Sequence, residues 1–65
     1  MLGAKIRELR KAIGLTQRQL GDALSVSNQA VSSWETDNSD PDILNIKALA
    51  KFFDITIDEL MDFEI

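Results

Sequence analysis

The stretch SVSNQAVSSWE, residues 25–35, contains a group of polar, uncharged side chains at helical spacing. They are Asn28, Gln29, Ser32 and Ser33. Exposed helix faces usually carry Lys and Glu, whereas Asn and Ser are mediocre helix formers. Amide and hydroxyl groups can instead pair with base edges in the DNA major groove, where an amide matches adenine at two points. This face therefore suits base reading, and a plain solvated surface is the alternative that these four residues alone leave open.

Two short helices are predicted to position this polar face. Thr16, with Gln19 three residues later, is a capping-box pattern that predicts a helix over residues 16–24. Ser27 can cap the next helix, over residues 27–35, after a connection of only about two residues. This is the helix-turn-helix arrangement, in which the second helix enters the major groove and reads bases from its first turn.

Helical spacing also dominates the rest of the chain. Apolar residues recur every three or four positions in the first segment, up to Ile13 just before Gly14, and Asp40-Pro41 fits a cap followed by proline at the start of the fourth segment. Apolar residues on two sides of that fourth helix suggest that it is widely buried. The sequence predicts one all-α domain over residues 1–65, with helices over 2–13, 16–24, 27–35, 41–53 and 57–61.

Composition excludes several classes of protein and site. The 65 residues include no Cys and no His, which removes disulfides, zinc fingers and His-assisted nucleophiles. An enzyme is therefore not expected, and neither a metal nor a cofactor is. No apolar run approaches the length of a membrane span, and the N-terminal residues are too charged for a signal peptide. We expect a cytoplasmic, nucleoid-associated protein.

The net charge of −4 hides an asymmetry between the two halves of the chain. Residues 1–36 carry five basic and three acidic side chains, whereas residues 37–65 carry two basic and eight acidic ones. Contacts with an anionic partner are therefore expected in the first half.

The segment LTQRQLGDALSVSNQAVSSWE, residues 15–35, resembles the helix-turn-helix of phage-repressor and Cro-like (Xre-type) proteins, and the flanking segments resemble that family's other helices. The resemblance implies a compact five-helix, lambda-repressor-like domain that binds double-stranded DNA as a bacterial or phage transcriptional regulator, such as a repressor. Gly21 matches the small residue where the two central helices approach closely. Trp34, on the apolar side of the third helix, is expected in the core.

The resemblance also implies roles for individual residues. Asn28, Gln29 and Ser32 match base-contacting positions, with Ser33 a weaker candidate. Three residues at the start of the second helix, together with a loop residue, are expected to contact the DNA backbone. They are Thr16, Gln17, Arg18 and Asn38. The Gln17 side chain is also expected to brace Asn28.

Arg10 and Glu35 match a structural salt bridge between the first helix and the end of the third. Breaking such a buried pair would cost about 3–5 kcal/mol.

Two departures from the family pattern bear on DNA affinity. Ser25 stands where the turn usually has Gly, so either the turn has another geometry or Ser carries about 1 kcal/mol of left-handed strain. In the loop after the third helix, Asn38 replaces the usual basic residue and Asp37 adds a nearby carboxylate. Both changes in this loop are expected to weaken phosphate binding.

The C-terminal segment, residues 57–65, is rich in apolar residues for its length. A homodimer on a near-palindromic operator would double the reading surface, and this segment could supply the contact through Ile57, Met61, Phe63 and Ile65. Two alternatives are that these residues only cover the core, or that they continue into a further domain. A different function, a protein-interaction module (antirepressor or adaptor) using the acidic half, is the second hypothesis.

Overall fold

The computed structural model describes residues 2–61, which form five helices and no strand. The helices are α1 (Leu2–Ala12), α2 (Gln17–Leu24), α3 (Asn28–Glu35), α4 (Ile43–Phe52) and α5 (Ile57–Met61). The prediction of an all-α domain with a helix-turn-helix at the second and third helices is confirmed. No helix in this range combines the length and the apolar character needed to cross a membrane.

Short side-chain caps fix where the helices begin. Thr16 and Gln19 form the complete capping box at the start of α2, and the Ser27 hydroxyl accepts from the backbone N–H of Ala30 at the start of α3. Each cap satisfies a donor that would otherwise lack a partner in the first turn of the helix. The register of both central helices is therefore set locally, by residues that the sequence pattern identifies.

Helix α4 differs most from its prediction. It begins at Ile43, two residues later than expected, because Asp42 rather than Asp40 caps it by accepting from the Asn45 N–H. Pro41 lies before the helix and is buried.

The wide burial predicted for α4 is also wrong. Leu44 is 72% exposed, Ile43 60% and Phe52 40%. A domain this small has one core, so a helix at its surface buries one side and no second layer covers the other.

The core lies between the five helices, where α3 packs on α1 and α2, and α5 packs on α1 and α4. Its buried apolar members are Ile6, Leu20, Val31, Trp34, Leu49, Ala50 and Leu60. The prediction that Trp34 packs in the core is confirmed. Ile13, placed by its spacing on the apolar side of α1, instead follows the end of that helix and is exposed.

Helix α3 packs mainly against α2 and α1. Gly21 permits part of this close packing, because a Cβ there would lie 2.7 Å from the carbonyl oxygen of Val26 and 3.2 Å from that of Ser27. Gly3 has the same function at the other end of α3, where a Cβ would lie 2.4 Å from the carbonyl oxygen of Trp34. Both ends of α3 are therefore held close to neighbouring backbone.

Candidate nucleic-acid interface

The first turn of α3 presents its amide side chains to solvent. Asn28 and Gln29 are both exposed, and neither side chain makes a hydrogen bond within residues 2–61. Their donors and acceptors are therefore available to an external partner. This is the arrangement that base reading from the start of a helix requires.

The two serines of the polar face are less accessible than the amides. Ser32 and Ser33 are both half-buried, and the Ser33 hydroxyl lies 2.8 Å from the hydroxyl of Ser39 in the following loop. Contact of Ser33 with a base would require this pair to rearrange. Ser32 has no such side-chain partner in the described range, so the structure favours it over Ser33 as a reader.

The start of α2 offers donors for an anion. The Thr16 hydroxyl is used as the cap, and the backbone N–H groups of Gln17 and Arg18 have no partner within the described residues. Such groups, at the positive end of a helix dipole, are suited to a phosphate oxygen. The Arg18 side chain is exposed and forms no ion pair in this part of the chain.

The Gln17 side chain lies elsewhere than predicted. Its Nε2 donates to Glu35 Oε1 at 3.2 Å, and no hydrogen bond to Asn28 occurs among the described residues. The bracing of Asn28 by Gln17 is therefore not present among the described residues. The physical reason is electrostatic, because an ionised carboxylate is a stronger acceptor than a neutral amide oxygen.

Arg10 and Glu35 form a two-point salt bridge between α1 and α3. Arg10 Nε donates to Glu35 Oε2 at 2.7 Å and Nη2 donates to Oε1 at 3.0 Å. The two side chains are only 12% and 3% exposed. Because the pair is shielded from water and its geometry is bidentate, it fixes the end of α3 to α1.

The hydrogen bond to Glu35 is also the main cause that raises the pKa of Arg10 above its ordinary value. A raised pKa stabilises the fold at every pH below the unfolded-state pKa, and this stabilisation is lost only as the pH rises through the folded-state pKa. Since the ordinary pKa of an arginine already lies far above neutral pH, Arg10 stays charged throughout the physiological range.

The turn between α2 and α3 has the left-handed geometry. Ser25 adopts φ 60° and ψ 38°; its N–H donates to the carbonyl oxygen of Asp22, and the N–H of Val26 donates to that of Gly21, both near the end of α2. Of the two alternatives left by the sequence, the strained serine is therefore correct.

The loop after α3 contains a second left-handed residue, Asp37, with φ 60°. Its carboxylate accepts from the backbone N–H of Gly3 at 3.2 Å, at the start of α1. Asp37 thus has an intramolecular partner, which the sequence pattern did not indicate. Asn38, beside it, is exposed.

Sequence reasoning missed the exposed apolar residues at the start of α4, Ile43 and Leu44, because their spacing resembles that of core residues. Among the predicted dimer residues, Ile57 is 38% exposed and Met61 is half-buried. Phe63 and Ile65 lie outside the described residues.

Comparisons with known proteins agree with this geometry. The model of the family described as "Helix-turn-helix" matches residues 6–60. The chain is 43% identical over 60 residues to the HTH-type transcriptional activator BcrR of Enterococcus faecalis, covering 92% of this chain and 29% of that protein. It is 36% identical over 61 residues to repressor protein C2 of Salmonella phage P22, covering 94% and 28%. The chain thus spans less than a third of the length of these two relatives.

Solved structures of helix-turn-helix proteins are also similar to this chain. The P22 c2 repressor in complex with a synthetic operator superposes with a TM-score of 0.87 at 37% identity, covering 92% of this chain and 91% of that one. The biofilm regulator SinR in complex with DNA superposes with a TM-score of 0.85 at 25% identity, covering 95% and 100%. With its five helices, its left-handed turn and its exposed amides, the chain belongs to the helix-turn-helix family of phage-repressor (Xre) type.

Proposed function

We propose that this chain is the sequence-specific, double-stranded DNA-binding part of a transcriptional regulator that reads the major groove with α3. The observation that carries the proposal is the pair of exposed amides, Asn28 and Gln29, in the first turn of α3, without partners in the part of the chain that is described. The relatives named as transcriptional regulators, and the DNA complexes of two of the similar proteins, support the same function. They do not favour the alternative of a protein-interaction module.

In this proposal the first turn of α3 contacts the bases and the first turn of α2 contacts the phosphates. Asn28 and Gln29 pair with base edges and Ser32 adds a contact one turn later. The phosphates are held by the backbone N–H groups of Gln17 and Arg18, by the Arg18 side chain and by Asn38. These contacts fix the register on the duplex. The chain performs no catalysis, and it acts in the cytoplasm at the nucleoid.

Electrostatics limit the affinity of a single protomer. With two or three cations per protomer within reach of phosphate, a dimer would use about 4–6, which corresponds to a salt slope of about −4 to −5. Two bidentate amides at about 1–3 kcal/mol each give one protomer little selectivity. We therefore propose a dimer on a near-palindromic operator with half-sites about one helical turn, ~34 Å, apart.

The dimer contact is proposed on the exposed apolar residues of the second half. Ile57 and Met61 belong to the predicted segment, and the exposure of Ile43 and Leu44 adds a further apolar surface on α4. Exposed apolar patches on a small domain are typical of interaction surfaces.

The test is selection of binding sites from a random duplex pool, followed by Gln29→Ala on the selected site. We expect a palindromic consensus, and a loss of about 1–3 kcal/mol per half-site with relaxed preference at one base pair. The free energy of unfolding of the variant should change by no more than about 0.5 kcal/mol, because the side chain is exposed. Recovery of no consensus would contradict the proposed function, and unchanged selectivity would contradict the assignment of Gln29.

A further inference from the structure

The Glu35 carboxylate accepts hydrogen bonds from two different helices. Arg10 of α1 occupies both of its oxygens, and Gln17 of α2 donates to the same Oε1 that accepts from Arg10 Nη2. Glu35 itself is the last residue of α3 and is buried. One carboxylate therefore joins the three helices that carry or support the proposed interface.

The start of α2 is attached to this carboxylate in two ways. Arg10 Nη1 donates to the carbonyl oxygen of Leu15 at 2.8 Å, immediately before the cap of α2. Gln17, the first residue of α2, donates its side-chain amide directly to Glu35. The two bonds hold the first turn of α2 against the last turn of α3.

We propose that Gln17 is a positioning residue, whose side-chain amide acts through Glu35 to set the tilt of α3 and so the placement of its base-reading end. This inference rests on the proposed function and assigns to the side chain a role separate from the backbone contact of Gln17 with phosphate. Glu35 lies seven residues, about two turns, from Asn28. A small change of angle at Glu35 therefore displaces the amide side chains at the far end of α3.

The two roles predict different results with different DNA. A side chain that contacts phosphate contributes equally to the selected site and to random duplex, because the phosphate carries no sequence information. A side chain that sets the angle of α3 contributes only where bases are read. The ratio of specific to non-specific affinity separates the two.

The first variant is Gln17→Met, which keeps the length and helix propensity of the side chain and removes its donor. We expect about tenfold weaker binding of the selected site per protomer, the size of effect for a lost hydrogen bond to a charged group, and a lower ratio of specific to non-specific affinity. Equal weakening on both duplexes, or no change on either, would overturn the proposal.

The second variant is Gln17→Glu, measured as a function of pH. At neutral pH the introduced carboxylate has no proton to donate and repels Glu35. As the pH falls, the introduced group is protonated and can donate again, so we expect the specificity ratio to recover toward that of the unmodified protein. A ratio that does not depend on pH would overturn the proposal.

Gln19→Met is the matched control. Gln19 is an amide in the same turn, but within the described residues its side chain bonds only locally, accepting from the Thr16 N–H at 2.8 Å. We expect this variant to lower the melting temperature and leave the specificity ratio unchanged. If the ratio falls in Gln19→Met as much as in Gln17→Met, general loosening of α2 explains both and the proposal is wrong. An unmodified chain that binds the selected and random duplexes equally would instead contradict the proposed function itself.

Discussion

The side chains at the two ends of α3 differ in burial and in hydrogen bonding. The C-terminal end, with Trp34 and Glu35, is buried, and Glu35 accepts hydrogen bonds from Arg10 and Gln17. The N-terminal end carries Asn28 and Gln29, which are exposed and make no side-chain hydrogen bond within residues 2–61. One end is therefore used for stability and the other is left available for recognition. The backbone at both ends of α3 is closely packed, so the difference lies in the side chains.

Mutations at the buried end of α3 are therefore expected to lower the free energy of unfolding. Arg10→Met leaves the Glu35 carboxylate buried without its ion partner, which should cost about 3–5 kcal/mol, a large share of the stability of so small a domain. The measurement is urea unfolding followed by Trp34 fluorescence.

Two further variants sharpen this first prediction. The double variant Arg10→Met/Glu35→Met removes both charges, so it should be less destabilised than Arg10→Met alone. Arg7→Met is the control, because Arg7 is exposed and forms no ion pair among the described residues. A cost below about 1 kcal/mol for Arg10→Met would show that the bridge does not anchor α3.

At the exposed end, mutations should act on binding and spare the fold. Asn28→Ala should weaken binding of a selected operator by about 1–3 kcal/mol per half-site, since a bidentate base contact is lost. Its free energy of unfolding should change by about 0.5 kcal/mol or less. The two values come from a titration of labelled duplex and from urea unfolding. A large loss of stability with unchanged DNA affinity would reverse the assignment of the two ends.

The smallest effect is expected at the turn that joins α2 to α3. Ser25→Gly should raise the free energy of unfolding by about 0.5–1 kcal/mol, because glycine adopts the left-handed conformation without steric cost. Asp54, with φ 56°, is the comparison site. Asp54→Gly should gain less, since Asp tolerates this conformation better than most residues. Thermal unfolding of both variants shows which gain in stability is larger. A loss of stability in Ser25→Gly would contradict a strained backbone at Ser25.

Much of the fold follows from local sequence signals. The caps at Thr16 and Ser27 and the spacing of the apolar residues act over three or four positions, so they can be identified without knowledge of the tertiary structure. The end of α1 and the start of α4 were each placed one or two residues away from their positions, because several neighbouring residues could end or cap the helix equally well.

Most of what sequence reasoning missed in the site depends on contacts that lie outside the reach of a helical period or a cap. The bond from Gln17 to Glu35 and the bond from Gly3 to Asp37 join residues 18 and 34 positions apart. The pairing of Ser33 with Ser39 likewise depends on how the loop after α3 folds back. No helical period or cap pattern contains this information.

By itself, the sequence determined the helix-turn-helix, the uncharged polar face of α3 and the charges available to a phosphate partner, because these features depend on residue type and on near neighbours. Only the tertiary structure decided which polar groups remain free for a ligand. Within residues 2–61, the side chains of Asn28 and Gln29 remain free, whereas those of Gln17, Ser33 and Asp37 form hydrogen bonds in the protein. The physical reason is that a donor or acceptor binds whichever strong partner the packed helices bring within about 3 Å.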